Sequence, residues 1–240
     1  MKRKIALCQR LQISIWFVCI VVLVTWQASG QVDIVPDNDD VSLFLHTEAQ
    51  FALGTSKWFA KPSLMLIFDD NSSSYGGLIP ALEIGYASDK LGTFSLHENY
   101  ISLPDGLSGN ALQLKWQKVF SKYKLNPLVR LTAEQIYLED LTIQQKVLLN
   151  YRTRIRVGIA PQMHDKWQVF VMNEWFPTQQ AGFSTENRIL TGMKYKLTPF
   201  TSVSAIYLNR YRDSRVSSLR WQHIVFFSIT YAGRIINKEK

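Results

Sequence analysis

The sequence predicts an all-β chain whose exported part closes into an antiparallel transmembrane β-barrel. Three observations carry this. Apolar and polar residues alternate with period two along segment after segment, those segments average about ten residues, and aromatic side chains gather near segment ends. Alternation places one set of side chains on each face of a strand. A tilted strand needs about 9–11 residues to cross a bilayer, whereas strands of globular sheets average about 5–6.

The N-terminus predicts export. Lys2, Arg3, Lys4 and Arg10 are the only charged residues before Asp33, and an apolar run from Ile13 to Trp26 leads to Ala28-Ser29-Gly30. Basic start, apolar centre and small-residue site are the grammar of a secretory signal peptide. The apolar run is shorter than the roughly 20 residues of a spanning helix. Residues 1–30 therefore read as a cleaved signal for the Sec route, 31–231 as the barrel, and 232–240 as a polar tail. Both cysteines, Cys8 and Cys19, fall within the signal. The remainder can form neither a disulfide scaffold nor a Cys-ligated zinc site, and has no thiol nucleophile. Removing the signal leaves 27 − 4 = 23 basic residues against 19 acidic, a net +4 instead of +8. No basic run or nucleic-acid motif remains, so nucleic acid is not an expected partner.

The strands follow in order. Val32–Val35 reads as a short first strand. Leu43-Leu45-Phe51-Leu53 opposes His46, Glu48 and Gln50. Segments 58–68 and 92–102 alternate less cleanly, with Lys61 or Glu98 falling among apolar residues. Leu112-Leu114-Trp116-Phe120 opposes Gln113, Lys115 and Gln117. Val147-Leu149-Tyr151-Thr153-Ile155-Val157 interleaves with a face carrying Arg152, Arg154 and Arg156. Trp167-Val169-Val171-Trp175 opposes Gln168 and Glu174, and Asn187-Ile189-Thr191-Met193-Tyr195 opposes Glu186, Arg188 and Lys194. Leu219-Trp221-Val225-Phe227-Ile229-Tyr231 ends the series. A helix would scatter the three arginines, whereas a strand lines them up. Eleven strands are recognisable; a single-chain bacterial barrel is expected to have an even number, so Val32–Val35 makes twelve, with ten the alternative. Short turns at Gly54–Lys57, Ser88–Leu91, Ser121–Tyr123, Met163–Lys166 and Leu197–Pro199 alternate with longer links at Asp69–Gly77, Leu103–Gly109, Glu139–Thr142, Pro177–Thr185 and Arg212–Ser218. That asymmetry, with the short set periplasmic, is a barrel trait.

A soluble β-sandwich also alternates apolar and polar residues. Strand length, loop asymmetry and two girdles of aromatics favour the barrel, with Trp58, Trp116, Trp167, Trp175 and Trp221 as interface residues. Trp58-Phe59 and Trp175-Phe176 are read as girdle pairs.

The polar face carries the functional content. Glu48, Glu83, Glu134, Glu174 and Glu186 face Lys115, Arg130, Arg152, Arg154, Arg156, Arg188, Lys194, Arg210 and Arg220. Buried charges must be paired or hydrated. The residues therefore predict either a salt-bridged structural plug or a narrow, net-positive pore, with Arg130, Arg152, Arg154, Arg156, Glu174, Arg188, Lys194 and Arg210 as solute contacts.

No catalytic residue is predicted. Of His46, His97, His164 and His223, only His97 has a serine two residues away on a strand. Ser95 and His97 are thus the residues on which a lipid-modifying hydrolase would rest. No metal site is predicted, since Asp69-Asp70-Asn71 and Asp37-Asn38-Asp39-Asp40 lack the spacing of a calcium loop, and no cofactor is implied.

Asn173-Glu174-Trp175-Phe176 followed by Glu186-Asn187-Arg188-Ile189-Leu190-Thr191-Gly192-Met193-Lys194-Tyr195-Lys196-Leu197, after an Arg-x-Arg-x-Arg strand, resembles an uncharacterised family of outer-membrane barrels. It is a domain of unknown function frequent in Bacteroidetes. The likeness covers mainly residues 140–231; the N-terminal half matches in rhythm. The chain departs from many such barrels in continuing past Tyr231. The resemblance implies an outer-membrane barrel surrounded by lipid and lipopolysaccharide and placed by barrel-insertion machinery, and it brings no activity.

Overall fold

A computed structural model of the chain describes residues 41–69, 72–104, 106–140, 145–176, 185–213 and 221–235. The signal segment, Val32–Val35, Arg220 and residues 236–240 lie outside them.

Eleven strands follow one another: β1 (Val41–Leu53), β2 (Trp58–Asp69), β3 (Ser74–Ser88), β4 (Gly92–Ser102), β5 (Leu107–Val119), β6 (Pro127–Asp140), β7 (Gln145–Ile159), β8 (Trp167–Phe176), β9 (Thr185–Lys196), β10 (Thr201–Asp213) and β11 (Trp221–Ile235). Consecutive strands pair antiparallel, and β1 meets β11 to close one barrel. The chain therefore forms a single closed sheet, not the two packed sheets of a sandwich.

The expectation of an even count is corrected. Among the described residues the barrel closes on eleven strands, because β1 and β11 run in the same direction and pair in parallel, from Val41 opposite His223 to Leu53 opposite Ile235. Parallel ladders make evenly spaced bonds, so an odd number of hairpin-connected strands can close without a free edge. β11 also continues to Ile235, so the barrel takes in the first four residues of the segment read as a tail.

The expected loop asymmetry falls largely outside the described residues, since 70–71, 141–144, 177–184 and 214–220 lie there. Strands do run into segments read as links, taking up Asp69, Ser74–Gly77, Leu107–Gly109, Glu139 and Arg212–Asp213. The connections at the opposite rim span residues 54–57, 89–91, 120–126, 160–166 and 197–200.

Side-chain distribution is inside out relative to a water-soluble sheet. Leu96, Leu114, Val171, Ile189, Met193 and Phe227 point outward and are exposed, Leu114 at 62 %. Glu83, Glu134, Glu174 and Glu186 are buried, Glu174 at 1 %. Period-two alternation puts these sets on opposite faces of the same strands.

Two aromatics correct the girdle reading. Trp58 and Trp175 are outward and exposed, but their neighbours Phe59 and Phe176 are buried. Phe59 turns inward over Gly85, where a Cβ would come within 2.4 Å of its ring. With Phe59 inside, Lys61 falls on the charged face, which resolves the irregular alternation of β2. Glu98 does stand outward, opposite Leu82 and Leu112.

Candidate functional site

Two rows of interior side chains follow the ladder registers around the barrel. One runs Lys61–Glu83–His97–Gln113–Glu134–Arg152 across β2 to β7. The other runs Gln117–Arg130–Arg156–Glu174–Arg188–Arg210–Gln222 across β5 to β11. Residues directly opposite on neighbouring strands are close enough to interact, and most of these do.

In the first row Glu83 is the hub. Its carboxylate meets Lys61 at 3.0 Å, His97 Nδ1 at 3.1 Å and Lys115 at 3.3 Å. Lys61 also reaches Glu48 at 3.2 Å. Glu134 accepts from Gln113 Nε2 at 2.6 Å, from Arg154 at 2.9 Å and from Arg152 Nε.

In the second row Glu174 accepts from Arg156, whose Nε and Nη2 lie 3.1 and 2.9 Å from one carboxylate oxygen. Arg188 approaches the other oxygen at 3.5 Å. Glu186 takes Arg188 and Arg210 together. Arg210 donates onward to Gln222, Gln222 to Ser42, and Ser42 to Asp69. The chain of bonds thereby crosses the β1–β11 seam.

Arg154 ties the rows together, lying 2.9 Å from Glu134 and 4.0 Å from Glu174. Phe176 fills the space beside it, with the guanidinium carbons of Arg188, Arg152 and Arg154 at 4.6, 4.9 and 5.6 Å from its ring centre. Guanidinium stacks on aromatic faces, so the phenyl ring covers three cations that otherwise repel one another. The lattice also braces a weak place. The β7–β8 ladder pairs only Ile155–Ile159 with Val171–Trp175, and Arg156–Glu174 and Arg154–Glu174 bridge it.

All eight residues expected on the inner face are there. Arg130, Arg152, Arg154, Arg156, Glu174, Arg188 and Arg210 belong to the network. Lys194 faces inward but has no ion pair among the described residues. Gln113, Gln117 and Gln222, read as polar-face positions without a role, are partners in the network. Lys61 and Phe176, read among apolar and girdle residues, are the partners that sequence reasoning missed. Phe176 could not be found, because an aromatic at a strand end fits either face.

Of the interface tryptophans, Trp58, Trp167 and Trp175 are outward and exposed. Trp116 is half-buried, its Nε1 donating to the Leu91 carbonyl at 2.9 Å. The side chain of Trp221 lies outside the described positions. Ser95 and His97 share the inner face, but both turn to Glu83 and not to each other. A hydrolytic pair needs the imidazole on the hydroxyl. Among the described residues no group of three or more His, Cys, Asp and Glu is placed to hold a metal.

A closed β-barrel with an ionic interior and an apolar exterior is thus the class of protein the chain forms. The family model described as protein of unknown function (DUF2490) matches residues 38–219, and the chain belongs to that family. The match takes in the N-terminal half as well as the segment that carried the resemblance. No curated protein and no solved structure matches the chain.

Proposed function

We propose that this chain is a non-enzymatic outer-membrane β-barrel, exported through the Sec route, whose braced interior leaves a narrow passage favouring small anions. One observation supports it above the others: the outward face is apolar and exposed while the inward face is charged and buried. Burying a leucine-sized side chain is worth about 1.5–3 kcal/mol. Many such groups around one belt are therefore tolerable against lipid and costly against water. Lipid also penalises backbone groups left unbonded in the wall, and closure pairs every strand on both sides, with the β7–β8 ladder the short one.

The interior supports the rest of the reading. Glu48, Glu83, Glu134, Glu174 and Glu186 are each held by one or more cations, which makes the lattice primarily a brace. Cations exceed carboxylates, so any residual path carries positive potential. The outward belt would contact lipid and lipopolysaccharide, and assembly would need the insertion machinery of the outer membrane.

Membrane fractionation with heat-modifiable gel migration tests the location; a folded soluble periplasmic pool would overturn it. Planar-bilayer recordings test the passage: small conductance with anion preference is expected, and a cation preference would refute the interior assignment.

A further inference from the structure

We propose that the interior holds a binding site for a compact phosphate dianion, free or as a small phosphomonoester, formed by Lys115, Arg130 and Arg154 around Thr132. The proposal rests on the anion-favouring interior and names what that interior takes.

The positive surplus is concentrated in one place. Thr132 of β6 is buried and lies opposite Lys115 on β5 and opposite Arg154 on β7. Strands in a sheet are about 4.8 Å apart and residues two positions along one are about 6.7 Å apart. Arg130, two residues before Thr132 on the same face, completes a cationic triangle with Lys115 and Arg154. Arg156 stands directly opposite Arg130, and like charges in that relation repel.

The carboxylates nearby do not saturate these groups. Arg130 gives both Nε and Nη2 to the Gln117 amide oxygen. It meets no carboxylate within ion-pair distance among the described residues, and its Nη1 makes no hydrogen bond there. Arg154 spends its terminal nitrogens on Glu134 and Glu174, while its Nε is buried without a hydrogen-bond partner. Lys115 has only Glu83, a carboxylate it shares with Lys61 and His97. Uncompensated buried cations with open donors cost free energy. A phosphate dianion supplies what is missing: two negative charges and several acceptor oxygens that suit guanidinium geometry. A halide offers one charge and no directed acceptor.

The test is calorimetric titration of the folded, full-length protein in detergent, in a low-chloride buffer, with inorganic phosphate and separately with glycerol 3-phosphate. Saturable binding of either is expected, with chloride much weaker. Arg130→Gln and Lys115→Gln should each weaken binding about tenfold or more, the loss of one charge-assisted contact. Lys57→Gln, in a rim turn, should leave it unchanged. Heat-modifiable migration checks that each variant is folded; if Arg130→Gln is not, Lys115→Gln and Arg130→Lys carry the comparison. No saturable binding by the folded barrel, chloride binding as tight as phosphate, or wild-type affinity in folded Arg130→Gln and Lys115→Gln would overturn the site. These outcomes are independent of where the barrel resides and whether it conducts.

Discussion

Glu174 and Arg188 lie directly opposite one another across the β8–β9 ladder, and their charged groups approach to 3.5 Å within the barrel. Glu174 is the most buried charged side chain described, and it also takes Arg156. Removing one member of a buried pair leaves the other uncompensated, at about 3–5 kcal/mol. Glu174→Gln should therefore lower the temperature at which the compact gel species converts to the unfolded one. An unchanged conversion temperature would show that the lattice is not a brace.

Lys194 offers the opposite case. It faces inward with no ion pair among the described residues, so removing its charge breaks no bond of the network. Lys194→Gln should retain near wild-type heat stability and lower the anion preference seen as a reversal potential across a salt gradient. Equal selectivity would place Lys194 away from the conducting path.

On the outer face, Leu114 is the sharpest probe. It is central in β5 and more exposed than any other strand residue of its kind nearby. Arginine at the lipid-facing midplane of a barrel costs about 2–4 kcal/mol. Leu114→Arg should reduce the fraction assembled in membranes, whereas Leu91→Arg, in a rim turn, should not. Equal assembly of both would argue that β5 does not face lipid.

The fit of Phe59 over Gly85 predicts a rescue. Gly85→Ala places a methyl 2.4 Å from the Phe59 ring, and overpacking of this kind costs about 1–3 kcal/mol. Phe59→Leu should recover part of that loss in the double variant. Additive losses would place the strain elsewhere.

At the rim, Lys57 and Asp89 pair at 2.9 Å in full solvent. Their hydrogen bond holds the Asp89 carboxyl below its ordinary value and the Lys57 amine above its own. Stability from the carboxyl is present above its unfolded pKa and is lost as pH falls through the lowered folded value. Stability from the amine is present below its unfolded pKa and is lost as pH rises through the raised one. Exposed pairs contribute little, so Asp89→Asn should leave the denaturation midpoint at neutral pH nearly unchanged. A large drop there would mean the turn is coupled to closure.

The alternation that marked β7 was legible because three arginines two residues apart admit one geometry. The same reasoning failed at Phe59 and Phe176, where an aromatic near a strand end fits either face and only the space over Gly85 or beside Arg154 decides. Alternation assigns faces but not stagger. It could put Arg152 and Glu134 inside, yet it could not say that they stand opposite one another. Parity failed for a related reason: a sequence shows hairpins, whose ends are local, and says nothing of how the first and last strands meet.

That last meeting has a kinetic side. Ten of the ladders join strands adjacent in the chain, so each can form by zipping outward from a nearby turn. The β1–β11 ladder brings together residues about as far apart in sequence as the barrel allows, and loop-closure entropy opposes it until the rest of the sheet has curled. Seam formation then becomes the committing event of assembly. The His46–Ser228 and Gln222–Ser42 bonds across it would act as a latch that slows reopening more than it speeds closure.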